Sequence, residues 1–256
     1  MILEARRVGE NLVQETVRPA RTGGAGAARA NAVPADLDPL RGPWQQAFSL
    51  QACSLQHERQ LIRARHSIYR AGEILSGVPI IHSGWAARVK RLSDGRRQIL
   101  SFILPGELIS AAAAFADRLS FFVEAITDVR YGIHQRPELA DIVARDPELA
   151  QALISGCLAE KAEIEELATD LGRRRAEERV ARLFLQLGNR LQALGQGSGT
   201  SFDMPLRQQH IADATGMTVI HVGRVIGTLR NEGVIQLSGG VLTITDLAAL
   251  KRLLEV

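Results

Sequence analysis

The segment from Pro205 to Leu229 constrains the fold of this chain more tightly than any other. Ile211 and Ala212 supply the apolar face of a short helix, and Gly216 stands where that helix must end. A helix commonly leaves through a left-handed residue, which glycine adopts without a Cβ penalty. Thr218 is placed to cap a second helix, in which Val222, Val225, Ile226 and Leu229 recur at helical spacing. The pattern predicts a helix-turn-helix, with His221 and Arg224 on the outward side of the second helix. In that motif the second helix enters the major groove of DNA through its N-terminal residues. His221 and Arg224 are therefore candidates for contact with bases. Arg207, Gln208, Gln209 and Thr218 lie where the motif would meet the phosphate backbone and position the protein.

Downstream, Gly233 to Leu237, then Ser238-Gly239-Gly240, then Val241 to Ile244 read as a hairpin, the wing of a winged helix. The charge balance agrees. Residues 172–256 hold eleven Lys and Arg against seven Asp and Glu, whereas residues 1–171 hold twenty against twenty-one. The positive surplus sits on the part with the motif, as a footprint for phosphates would.

Upstream, a helix is predicted from Pro147 to Gly172. Leu153, Cys157, Glu160, Ile164, Leu167 and Leu171 are spaced 4, 3, 4, 3 and 4, a heptad seam that buries one stripe against a partner helix. Leu153, Cys157, Ile164, Leu167 and Leu171 are the candidate dimer contacts. From about Ile68 to His134, short apolar runs are punctuated by glycines, the texture of an all-β unit. Its clearest piece is Trp85 to Leu92, Asp94-Gly95, then Gln98 to Leu104, a hairpin closed by Pro105-Gly106. Residues 1 to about 45, with the run Arg21 to Ala28 and Pro34 and Pro39, have the composition of a flexible tail.

Several classes are disfavoured. No apolar run approaches the roughly 20 residues that span a bilayer, and Met1 to Arg18 lacks the apolar stretch of a secretory signal. Two cysteines, Cys53 and Cys157, are too few for a disulfide framework. There is no metal-ligand spacing, phosphate loop or nucleophile elbow. The expectation is a cytoplasmic protein that is not an enzyme and holds no metal or cofactor.

The order of parts resembles the catabolite-activator and fumarate-nitrate-regulator (CRP/FNR) family from about residue 48 onward. The resemblance rests on Ser83-Gly84-Trp85-Ala86, Ser93 to Ile99, Leu104 to Ile109, and the helix-turn-helix with Val222-Gly223-Arg224. It implies an α+β chain: a flexible tail (1–45), a jelly-roll-like β-roll sensor domain (46–145), a dimerisation helix (146–172) and a winged helix-turn-helix (173–256). It further implies a homodimeric transcription regulator acting on an inverted-repeat site in double-stranded DNA, with RNA polymerase as a partner. In the family, residues aligned with Val219, Ile220 and Arg224 contact bases. A glutamate is common at the Ile220 position, and an isoleucine cannot accept the hydrogen bond a cytosine offers. His221 beside it is a replacement or a phosphate contact.

Two departures bear on the sensor. Members that bind cyclic AMP carry a Gly-Glu-Leu cassette and an Arg-Ser pair. Here the Gly-Glu positions fall on Ser110-Ala111, and the pair would lie near Leu119 to Phe122, with Arg118 and Ser120 not adjacent. A buried phosphodiester needs a cation and donors, so dependence on cyclic AMP is not expected. An iron–sulfur cluster needs about four thiolates, so that sensor is not expected either. The alternative is a small-molecule, haem or redox sensor whose DNA binding requires a ligand, with His66, His82, His134 and Cys157 as the residues to weigh.

Overall fold

The computed structural model describes residues 60–197 and 199–255. The flexible-tail expectation for residues 1–45 and the first residues of the roll fall outside the described residues.

Two antiparallel sheets build the N-terminal part. One joins β1 (Gln60–Ile62), β7 (Val129–Gln135) and β3 (Gly77–Ser83), in that spatial order. The other joins β2 (Ser67–Tyr69), β6 (Phe122–Ala125), β4 (Ala86–Arg91) and β5 (Arg97–Ile103), again in spatial order. The predicted hairpin is β4–β5, with Ala86 opposite Ile103 and Ala87 opposite Phe102. Its turn is longer than a two-residue Asp-Gly turn. It spans Leu92–Arg96 and is closed by the Leu92 N–H on the Arg96 carbonyl at 2.8 Å.

Alternation along these strands buries both faces of the four-stranded sheet. Ala86, Ile103, Val123 and Ala125 meet Val78, Ile80, Ile81, Val129 and Tyr131 of the other sheet. Ala87, Val89, Ile99 and Phe102 point the other way, into a core shared with Phe184, Leu187, Leu191, Ile211 and Val222 of the C-terminal part. Fully burying each large aliphatic or aromatic side chain stabilises by roughly 1.5–3 kcal/mol, so this second core is a substantial bond between the two parts.

After the roll come α1 (Arg136–Arg145) and α2 (Pro147–Gly172), the latter at the bounds expected from sequence. Pro147 opens α2 at the position where its missing N–H costs nothing. The Asp146 carboxylate caps it, accepting from the Glu148 and Leu149 N–H groups at 3.0 and 3.1 Å. The heptad reading needs correction here. Leu153 is only 2% exposed and lies in the roll core, and Leu167, 9% exposed, faces β5 within its own chain. The outward face carries Ile154 and Leu158, with Ile164 and Leu171 at its flank and Cys157 half-buried. The predicted 4-3 seam runs along the edge between the face packed on the home domain and the exposed face that carries Ile154 and Leu158, so its residues differ in burial although they share a spacing.

The C-terminal part comprises α3 (Ala176–Ala193), β8 (Ser201–Asp203), α4 (Gln208–Thr215), α5 (Val219–Asn231), β9 (Ile235–Ser238), β10 (Val241–Ile244) and α6 (Leu247–Arg252). Strands β9 and β10 are the expected wing. The sequence reading missed β8, which pairs with β10 to complete a three-stranded sheet.

Candidate nucleic-acid interface

Helices α4 and α5 are joined at Gly216, whose φ of +67° is the left-handed conformation the turn requires. The Met217 N–H returns to the Ala212 carbonyl at 3.1 Å. The Thr218 hydroxyl then caps α5 by accepting from the His221 N–H at 3.2 Å. Both local expectations hold, for the reasons that made them legible.

Val222, Val225, Ile226 and Leu229 are buried, which turns the opposite side of α5 to solvent. Ile220, His221 and Arg224 share this exposed side, and Ile220 is 71% exposed. Val219 is partly buried and packs against the core, so it stands apart from the other three.

Arg207, Gln208 and Gln209 are exposed at the start of α4. The Gln208 amide lies across α5 at Gly223, where a Cβ would come within 3.2 Å of its Oε1. Gln209 Nε2 donates to Asp213 Oδ1 at 2.6 Å, so this side chain is already engaged. The Arg207 N–H donates to His210 Nδ1 at 3.2 Å. Burial, then the charges of Arg97, Arg207 and Arg65, push the His210 pKa down to about 4. The neutral ring therefore keeps Nδ1 as an acceptor for the helix start. The wing turns through Gly239-Gly240, both at positive φ (60° and 80°), the geometry of a tight hairpin turn whose twist matches its strands.

The reader is bolted to the roll by polar contacts as well as by the shared core. Arg97 Nε of β5 lies 2.8 Å from Asp213 Oδ2 of α4 as a charge contact, without the alignment of a hydrogen bond. Burial raises the Asp213 pKa, against the lowering effects of the Gln209 hydrogen bond and the Arg97 charge. Gln98 Nε2 of β5 donates to the Ala214 carbonyl at 3.0 Å, while within the C-terminal part Arg179 Nη1 of α3 donates to the Thr215 carbonyl at 3.1 Å. Glu124 of β6 accepts from Arg91 and pairs with Arg97. Sequence reasoning gave none of these residues a role in joining roll to reader, because a pair such as Arg97 and Asp213 leaves no local pattern.

In the sensor half, His66 and His82 are exposed while His134 is buried. Among the described residues, no group of three His, Cys, Asp or Glu side chains is placed to hold a metal ion. Burial and the neighbouring Glu160 charge push the Cys157 thiol pKa up, away from the reactive thiolate. At the cassette positions, the Ser110 hydroxyl and the Ala111 N–H both donate to the Glu160 carboxylate, at 2.7 and 2.6 Å. Leu119 is buried. No described helix is long and apolar enough to cross a membrane.

Comparison with known proteins agrees with this geometry. Residues 178–253 match the Crp-like helix-turn-helix domain and residues 59–146 the cyclic nucleotide-binding domain. The nitrogen fixation regulation protein FixK of Azorhizobium caulinodans is 33% identical over 192 residues, covering 74% of this chain and 77% of that protein. The transcriptional activator protein FnrL of Cereibacter sphaeroides is 29% identical over 192 residues, covering 73% and 77%. Among solved structures, FixK2 from Bradyrhizobium japonicum superposes with a TM-score of 0.70 at 27% identity, covering 78% of this chain and 98% of that one. A CRP/FNR-family regulator from Thermus thermophilus gives 0.57 at 25% identity, covering 78% and 99%. These relatives are regulators rather than enzymes. The chain belongs to the CRP/FNR family of transcription regulators.

Proposed function

We propose that this regulator acts in the cytoplasm as a homodimer on an inverted-repeat DNA site, with α5 of each protomer in the major groove and RNA polymerase as its partner at the promoter. The observation that carries the reading is the exposed Ile220, His221 and Arg224 face on a helix that is glycine-turned, capped and buried on its other side. The Arg224 guanidinium can pair with both O6 and N7 of a guanine, the commonest specific contact in that groove. Ile220 offers no hydrogen bond. Its chemistry suits the C5-methyl of a thymine. His221 is a base or phosphate contact beside them, Val219 supports the helix start, and Arg207, Gln208, Gln209 and Thr218 hold the register on phosphates.

The dimer contact is the outward face of α2. Ile154 and Leu158, 55% and 62% exposed, make an apolar stripe flanked by Cys157, Ile164 and Leu171. Such a stripe along a long helix suits a second copy of the same helix.

Neither cyclic AMP nor an iron–sulfur cluster enters this reading. The donors at Ser110 and Ala111 already meet a carboxylate, so an incoming phosphate there would face a like charge. The whole chain holds two cysteines. The test is titration of the purified full-length protein onto promoter DNA without additives. Tight binding that falls about tenfold or more between 50 and 200 mM salt, through counterion release, supports the reading. A flat salt response contradicts it.

A further inference from the structure

The turn that follows β5 forms a small anion niche. Ser110 caps a 3-10 turn at Ala111–Ala114, and its backbone and hydroxyl converge on one point between the roll and α2. The Ser110 hydroxyl and the Ala111 N–H aim there, as does Arg88 Nη1 from β4. All three meet the same group, the Glu160 carboxylate, at 2.7, 2.6 and 2.9 Å. The Glu160 side chain is 13% exposed and that of Arg88 is 8% exposed. Three converging donors, one of them a buried cation, on a carboxylate shielded from water make a strong charge-assisted site.

The backbone is shaped for this occupant. One helical turn before Glu160 stands Gly156, where a Cβ would come within 2.9 Å of the Ala111 Cβ. Only the missing side chain lets α2 lie close enough for Glu160 to reach the niche. Arg88 is in turn held by Ser101 Oγ at 2.5 Å and Glu163 at 3.0 Å. Glu163 accepts from Gln186 of α3 at 2.8 Å. Further along α2, Leu171 reaches the reader turn, since a Cβ at Gly216 would come within 2.5 Å of its Cδ2. The seating of Glu160 thus sets the position of the helix that the reader leans on.

We propose that the Ser110–Ala111–Arg88 niche is a carboxylate-binding site filled from within. Glu160 is its resident occupant, docks α2 to the roll and keeps the reader competent without an external effector. A small free carboxylate of the formate or acetate class takes its place when that side chain is removed. The inference rests on the DNA-binding reading above, and a melting measurement tests it without DNA.

The experiment compares full-length wild type with Glu160→Ala in formate, acetate and, at equal ionic strength, chloride, reading both melting temperature and affinity for promoter DNA. Glu160→Ala is expected to melt lower and bind DNA about tenfold or more weakly. Formate or acetate at millimolar concentration is expected to restore both, whereas chloride does not and wild type responds to neither. Equal effects of carboxylate on wild type and variant, or an impaired variant that no carboxylate restores, would overturn the proposal. Glu160→Gln keeps the shape and one acceptor oxygen, turns the other into an amide donor and removes the charge facing Arg88, so it tests the site if Glu160→Ala does not fold. It is expected to melt lower than wild type, and a wild-type melting temperature for it also overturns the proposal. If wild type itself binds no promoter DNA, the proposed function fails, while carboxylate rescue of melting still decides the niche.

Discussion

Arg190 of α3 and Glu107 of the roll, 83 residues apart in sequence, form a buried ion pair with Nη2 and Oε2 at 2.6 Å. Burial works against the Arg190 charge, but the carboxylates of Glu107 and Glu163 outweigh it and hold its pKa above the ordinary value. Arg190 also donates to the Phe102 carbonyl at 2.8 Å, and Glu107 accepts from the Leu104 N–H at 2.8 Å. Removing one partner of a buried pair leaves the other charge uncompensated, at a cost of about 3–5 kcal/mol. Arg190→Met should lower stability by that amount in urea denaturation, and adding Glu107→Gln should recover part of it. A loss under about 1 kcal/mol for Arg190→Met would show that the pair does not hold the two parts together.

Assembly is tested on the outward face of α2. Leu158→Glu with Ile164→Glu would bury unpaired charge between two copies, so light scattering should report monomers with a folded spectrum. Leu167→Ala is the matched control. Its side chain is buried within the protomer, so the variant should lose about 2–5 kcal/mol of stability and remain dimeric. A stable dimer in the doubly charged variant would place the interface elsewhere.

His210 gives a pH signature. Its folded pKa of about 4 lies below the ordinary 6.5, so the unfolded chain takes up the proton first as pH falls. The contribution of His210 to stability is fully present above about 6.5 and is lost as pH falls through the window toward 4. Its Nδ1 can no longer accept from Arg207 once protonated. The difference in melting temperature between wild type and His210→Gln should therefore change in wild type's disfavour from pH 7 to pH 4.5. A difference independent of pH would contradict the neutral capping ring.

Ile220 predicts a dependence on a methyl group. Replacing thymine by uracil at one position in each half-site removes only the C5-methyl and should weaken wild-type binding by roughly 1 kcal/mol per half-site, about the worth of one buried methyl. Ile220→Ala should bind the thymine and uracil sites alike. Equal binding of both sites by wild type at every position would exclude the contact.

Much of the reader was legible because its determinants are local. Gly216, Thr218 and the Val222, Val225, Ile226 and Leu229 stripe each act within one or two turns of helix, and the structure places them as their chemistry dictates. The wing glycines belong to the same class, and the Asp146 cap is as local, although the sequence reading did not name it. The seam of α2 was legible only in part, since Leu153 and Leu167, 2% and 9% exposed, obey the same spacing as Ile164 and Leu171, 43% and 36% exposed, and spacing alone does not say which of them the home domain covers. Strand β8 is three residues long and takes its identity from pairing with β10 rather than from any pattern of its own. The bonds between roll and reader, Arg97 with Asp213 and Arg190 with Glu107, join residues far apart in sequence. Nothing in the neighbourhood of either partner announces the other.

The central claim is that α5 reads bases through Arg224, and one measurement tests it most directly. Wild type and Arg224→Ala are titrated against a library in which every base of one half-site is varied, with Arg207→Ala as the backbone-contact comparison. Arg224→Ala should lose about 1–3 kcal/mol on the preferred site and become indifferent to the base at one position in each half-site. Arg207→Ala should weaken all sites about equally and reduce the salt slope by about one. If Arg224→Ala keeps wild-type discrimination at every position, α5 is not read into the groove through Arg224, and the account fails.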